Sequence, residues 1–191
     1  MVNIMTNNLN FNLVKTTEAA SLFLQLHKGR MKYLMLLKLL YLLDREAFSR
    51  WERPVTYDIY ASLPYGPILS KTYDIIRSSG ENYGYWKKYI KTTSNAQVEL
   101  TGNPPKIKKL SPAEIGLINE LNAVYGKYDP FVLADKMHGL PEYKNPGKSS
   151  SPIPLEDLLS AVKYTPKDIS RILQEMRAEA QIDNIFSTSD K

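Results

Sequence analysis

The sequence predicts a mainly helical α+β single domain with a small antiparallel β-sheet or hairpin inserted after the central helices. Three observations predict it. Residues 31–43 are apolar on nearly all sides, as a helix is when neighbours surround it. Residues 83–102 read as two short strands around a polar turn at residues 93–95. Downstream, Ser111-Pro112-Ala113-Glu114, Asp129-Pro130 and Thr165-Pro166-Lys167-Asp168 repeat one helix-start chemistry, a capping side chain followed by proline in the first turn.

The elements follow in order. After an Asn-rich lead, Thr16 or Thr17 can cap a helix over residues 18–28, with Ala19, Leu22, Phe23 and Leu26 on its apolar face and Gly29 at its end. The central helix comes next and closes before Pro54. Residues 55–63, β-branched and aromatic, suit a strand. A corner, Leu63-Pro64-Tyr65-Gly66-Pro67, leads into a helix from residue 68 that carries Ile68, Tyr73 and Ile76 and stops at Ser78-Ser79-Gly80. The hairpin is followed by helices over 112–125, 131–138, 155–162 and 167–180, with a Pro/Ser/Gly loop at 144–154.

Composition bounds the function. The chain has 191 residues, 43% hydrophobic and 24% charged, which suits one globular domain rather than a disordered chain. The absence of Cys removes disulfides, thiolate catalysis and Cys-held metal, and points to a reducing cytoplasm. Residues 1–15 show neither the basic start nor the apolar run of an export signal. The longest apolar block, 34–43, is interrupted by Lys38 and falls short of the roughly 20 residues a membrane span needs, so a soluble cytoplasmic protein is expected. The formal charge of +5 allows nucleic acid or an acidic protein as partner without choosing between them.

No constellation of catalytic residues emerges. A phosphate loop needs converging backbone amides, and the corner offers one glycine between two prolines that have no amide hydrogen. Gly66 is instead expected to supply unusual backbone angles, and Pro67 to fix the entry to the next helix. Ser70 stands at a helix start, but His27 and His138 lack a triad signature, and two isolated histidines do not make a metal site. No cofactor is expected. Lys38, Tyr41 and Arg45 share one face of the central helix, with Asp44 one turn after Tyr41; they read as an internal network that pairs where the helix leaves the core. In the hairpin, Trp86, Lys87, Lys88, Tyr89 and Lys91 interleave basic and aromatic groups as a winged-helix wing does, but the helix before it offers only Lys71 and Arg77 against Asp74.

Several motifs in register resemble one family. Lys38-Leu39-Leu40-Tyr41-Leu42-Leu43-Asp44-Arg45, then Arg53-Pro54-Val55-Thr56, then Gly66-Pro67-Ile68-Leu69-Ser70, with Met137-His138 downstream, are similar in order and spacing to the Panacea domain of SocA-like antitoxins, found also in GepA-type phage-associated proteins. Glu52 stands where the family usually has Gly, Ile68 where Val is common, and Met137 where Thr is common. The resemblance implies an antitoxin that binds and blocks a cognate toxin protein without chemistry of its own, in one branch as an adaptor delivering the toxin to a AAA-type protease. The expected division is a flexible lead at 1–15, the antitoxin-like domain at 16–165, and a C-terminal helix and tail at 166–191. A winged-helix-like nucleic-acid-binding regulator is the second reading, and a hydrolase using Ser70 a third. Tyr65, Gly66, Pro67, Tyr85 and Trp86 are the expected partner contacts, aromatic groups being frequent binding hot spots. Lys38, Tyr41, Asp44, Arg45, Pro54, Ser70 and His138 are the expected scaffold.

Overall fold

A computed structural model describes residues 10–77 and 83–189. Its first helix, α1 (Leu13–Leu26), begins earlier than the threonines predict, because Asn12 is the cap: its side chain accepts from the Lys15 amide. Thr16 and Thr17 lie buried inside the helix and return their hydroxyls to the carbonyls of Asn12 and Leu13. A short strand, β1 (Arg30–Lys32), separates α1 from the central helix α2 (Tyr33–Trp51). As its all-round apolar sequence requires, α2 is buried from Met35 to Asp44 and packs on α1. It ends at Glu52 in the left-handed conformation, φ 59°, a backbone that glycine adopts without cost.

The corner departs from expectation. Residues 55–59 are not strand, because two buried carboxylates hold their amides elsewhere. Asp44 accepts from the Val55 and Thr56 amides, and Asp58 turns its carboxylate onto the residues that follow the corner. Strand β2 (Tyr60–Leu63) turns through Pro64 and Tyr65 into β3 (Gly66–Leu69), so residues 66–69 are the second arm of a hairpin and not the start of a helix. The register sets Leu63 against Gly66 and Tyr60 against Leu69. Pro67 therefore sits in a strand; β3 is an edge strand, where a missing amide hydrogen is tolerated. Helix α3 (Ser70–Arg77) begins only where Asp58 caps it, accepting from the Lys71 and Thr72 amides and the Thr72 hydroxyl. The expected stop at residues 78–80 lies outside the described residues.

The segment expected to be two strands starts instead as a helix, α4 (Gly84–Tyr89), packed on α1 with Trp86 2% exposed. The hairpin then follows as β4 (Ile90–Thr93) and β5 (Gln97–Leu100), which pairs with β1. Helix α5 (Pro112–Tyr125) carries the complete capping box on Ser111 and Glu114, and α6 (Pro130–Met137) is capped by Asp129. A two-residue strand, β6 (Ser151–Pro152), completes a second small sheet in the order β3-β2-β6. Helices α7 (Leu155–Ala161) and α8 (Pro166–Ser189) close the described chain, α8 running past the expected residue 180. The result is mainly helical α+β with two three-stranded antiparallel sheets. Among the described residues no helix is long and apolar enough to cross a membrane.

Candidate functional site

Four polar side chains leave α2 on its buried side and tether three pieces of chain. Lys38, fully buried, donates its Nζ to the Pro67 carbonyl at 2.8 Å. Burial pulls its amine down to about 7. Tyr41 and Arg45 meet on one oxygen of Glu142, at 3.0 and 2.8 Å, and so hold the segment after α6. Burial first, and the Glu142 charge second, push the Tyr41 hydroxyl well above its ordinary value. Asp44 accepts four hydrogen bonds: from the Val55 and Thr56 amides at 2.9 Å, the Thr56 hydroxyl at 2.5 Å and the Tyr60 hydroxyl at 2.9 Å. Burial raises its carboxyl to about 6 against the pull of those donors, so it is mainly charged at neutral pH.

These tethers converge on the Pro64-Tyr65 turn. Lys38 holds the Pro67 carbonyl on one side of it, and on the other the Tyr143 hydroxyl donates to the Leu63 carbonyl at 3.0 Å. His138 stacks on Tyr143, ring centroids 4.8 Å apart and planes 12° from parallel. Gly66 lies between them with φ +87°; a Cβ there would stand 3.1 Å from Lys38 Nζ, 3.4 Å from the Ala134 carbonyl and 3.5 Å from the His138 ring. Glycine is thus required twice, by the backbone angle and by the space.

The backbone beneath Tyr65 is fixed, and its ring is free. Tyr65 is 59% exposed and meets Phe131, also 59% exposed, edge to face at 5.8 Å. Their rings border a cavity of about 390 Å³ walled by Leu34, Leu37, Leu63, Ile68 and Pro130. Val132 and Tyr128 extend the exposed apolar surface along α6 and its approach. An aromatic pair of this kind on a pinned turn loses little entropy when it is covered.

The arrangement has the parts of a binding surface, and the central helix identifies its kind. A family model, antitoxin SocA-like, Panacea domain, matches residues 36–144, more than half of the chain. The chain belongs to the SocA-like antitoxin family. Membership supports an antitoxin role and, in general terms, a toxin partner. No curated protein and no solved structure matches the chain. The Panacea match contains every tether just described, from Lys38 to Tyr143, and leaves α1, α7 and α8 outside it. In this chain the Panacea motif is therefore a central helix together with the turn, strand and loop that its side chains hold.

The residues singled out in the sequence separate accordingly. Lys38, Tyr41, Asp44 and Arg45 lie on the tethers, Pro54 is buried behind the helix end, and His138 is packed on Tyr143. Ser70 is half-buried at the first position of α3; among the described residues no side chain is bonded to its hydroxyl, while His27 bonds Asn122. Gly66 and Pro67 are buried and Leu63 is half-buried, so the corner offers a partner Pro64 and Tyr65, of which Tyr65 is the aromatic one. Trp86 is corrected from contact to core: α4 turns its ring inward against α1. Tyr85 is half-buried, meets the Tyr89 ring edge to face at 5.3 Å and does not border the Tyr65 cavity. Of the expected wing lysines, Lys91 is paired with Glu99 at 2.8 Å. Sequence reasoning missed Phe131 and Glu142. Phe131 had a usable signal, two apolar residues in the first turn after Asp129-Pro130; Glu142 had none, since its partners lie 97 and 101 residues away.

Proposed function

We propose that this chain neutralises a cognate toxin protein in the cytoplasm by binding it directly, without catalysis of its own, through the surface around Tyr65 and Phe131. The observation that carries the reading is the exposed edge-to-face pair at the lip of an apolar cavity, mounted on a turn whose two flanking carbonyls are pinned from below. Contiguous apolar side chains left to solvent mark association sites, and aromatic residues dominate their energetics. The Panacea motif contributes by rigidity. Lys38, Tyr41, Asp44 and Arg45 act from beneath, and of the four Lys38 reaches the cavity wall; they set the corner's shape, and the corner presents Tyr65.

The test is growth. Expression of the gene encoding the toxin, expected beside this one, should arrest cells, and co-expression of this chain should restore them. Immunoblots of the toxin during rescue separate a simple block, which leaves toxin abundant, from delivery to a AAA-type protease, which depletes it. A neighbouring product that is harmless alone, or an arrest this chain does not relieve, refutes the proposal. Binding of DNA with steep salt dependence, lost on replacing Lys87, Lys88 and Lys91, would favour the nucleic-acid reading instead.

A further inference from the structure

The cavity beside Tyr65 has a chemistry of its own. Its walls are apolar and aromatic, but the charged residues that line it are all cationic: Lys32 and Arg77 at the mouth, and Lys38 under the floor. No Asp or Glu borders it among the described residues. The two mouth cations are bonded to neutral groups. Lys32 donates to the Asn95 carbonyl at 2.5 Å, and Arg77 donates to the Tyr73 hydroxyl at 2.7 Å while lying over that ring. Among the described residues neither is met by a carboxylate, so both can turn their charge toward an arriving anion.

Resting on the antitoxin reading, we infer that the cavity receives an apolar or aromatic side chain from an acidic segment of the partner protein, with the carboxylates beside that side chain meeting Lys32 and Arg77. Size and shape support this occupant. About 390 Å³ lies at the small end of ligand pockets, enough for one large side chain rather than an extended cofactor. Phe131 on the cavity wall is exposed, and so are Val132 next to it and Tyr128 just before α6, which do not line the cavity; a protein chain crossing the lip could cover these where a small molecule seated inside would not. Charge complementarity at the rim then selects an acidic segment and speeds its capture, while the buried side chain supplies the affinity. A basic or neutral segment would gain the apolar contact without the rim contacts.

The probes are three acetylated, amidated peptides titrated into the isotope-labelled full chain and followed by amide shifts: Ser-Asp-Asp-Phe-Asp-Asp-Ser, the same peptide with Lys for every Asp, and the same peptide with Gly for Phe. The first should shift the amides of Lys32, Tyr65, Gly66, Arg77 and Phe131, with the other two at least about tenfold weaker, and added salt should erase most of the difference between the acidic and basic peptides. In the Lys32→Glu/Arg77→Glu variant the preference should reverse toward the Lys peptide. Equal binding of acidic and basic peptides, shifts confined to another face, or no shift at about 1 mM peptide would overturn the inference. Co-expression separates it from the reading it rests on. Wild-type rescue that persists undiminished in the charge-reversed variant overturns the acidic-segment inference and leaves the antitoxin reading standing; failure of wild-type rescue removes the antitoxin reading, while the peptide titration still decides the cavity's chemistry.

Discussion

Replacing Gly66 by alanine adds one methyl group to a position that resists it in two separable ways. The backbone there has φ +87°, where an L side chain costs about 1–2 kcal/mol. The new Cβ would also stand 3.1 Å from Lys38 Nζ. The amine ends a flexible chain, but it is buried and bonded to the Pro67 carbonyl at 2.8 Å, and the Ala134 carbonyl and His138 ring close the sides at 3.4 and 3.5 Å. Moving it would forfeit a charge-assisted hydrogen bond worth about 1.5–3 kcal/mol. Gly66→Ala is therefore expected to cost about 2.5–5 kcal/mol in all. Gly29 supplies the control, for it has nearly the same angle, φ +86°, with nothing within 4 Å of a built Cβ. Gly29→Ala should cost only the backbone share, about 1–2 kcal/mol. Urea unfolding of both variants, with the midpoint moving at constant slope, measures each. A double-mutant cycle with Lys38→Met, whose side chain is one atom shorter, should recover most of the excess at Gly66. Equal losses at the two glycines, or an excess at Gly66 that survives in the Lys38→Met background, would refute the claim that the corner and the buried amine are fitted to each other.

Three further outcomes follow from the tethers. Because burial lowers the Lys38 amine from 10.5 to about 7, the unfolded chain binds a proton that the folded chain releases between those values, so stability rises with pH across that window. The stability difference between wild type and Lys38→Met should shift in favour of wild type by as much as about 4 kcal/mol from pH 7 to pH 10, and a difference flat in pH would contradict it. Ser70→Ala should be mild, within about 0.5 kcal/mol, whereas Asp58→Ala should cost more than about 2 kcal/mol in thermal or urea unfolding, because Asp58 and not Ser70 caps α3. Glu52 holds φ 59° and pairs with Arg171 through two contacts of 2.7 and 2.9 Å at a half-exposed site; Glu52→Gly should relieve the backbone while losing the pair and come out near neutral, and Glu52→Ala, which only loses, should melt lower.

The sequence carried those parts of the fold whose causes are local. Ser111 and Glu114 cap α5 across three residues, and the all-round apolar run of α2 could only be a core helix. It misled where a distant carboxylate decided the backbone. The β-branched run at 55–59 looked like strand, but Asp44, more than ten residues earlier, takes its amides. The corner read as a helix start because Pro67 commonly occupies one; Ser62 opposite it and Lys38 beneath it place it in a strand. Trp86 misled for a related reason: beside Lys87 and Lys88 it looked like surface, and only the inward turn of α4 shows that the lysines are exposed and the indole is not. The motif residues of α2 were visible as a cluster, and their division of labour was not, since each acts on a partner outside the helix.

The central claim is that the exposed pair binds the toxin and the buried motif supports it. The direct measurement is the affinity of purified toxin for three variants by calorimetry, each with its melting temperature taken in parallel. Tyr65→Ala and Phe131→Ala should each weaken binding by about tenfold or more, a loss of about 1.4 kcal/mol or greater, while melting within a degree or two of wild type. Asp44→Ala should melt markedly lower, with affinity for the toxin kept in whatever fraction remains folded. Tyr65 and Phe131 variants that bind as wild type does, beside an Asp44→Ala protein that stays stable and loses the toxin, would contradict the account and move the functional site from the corner to the central helix.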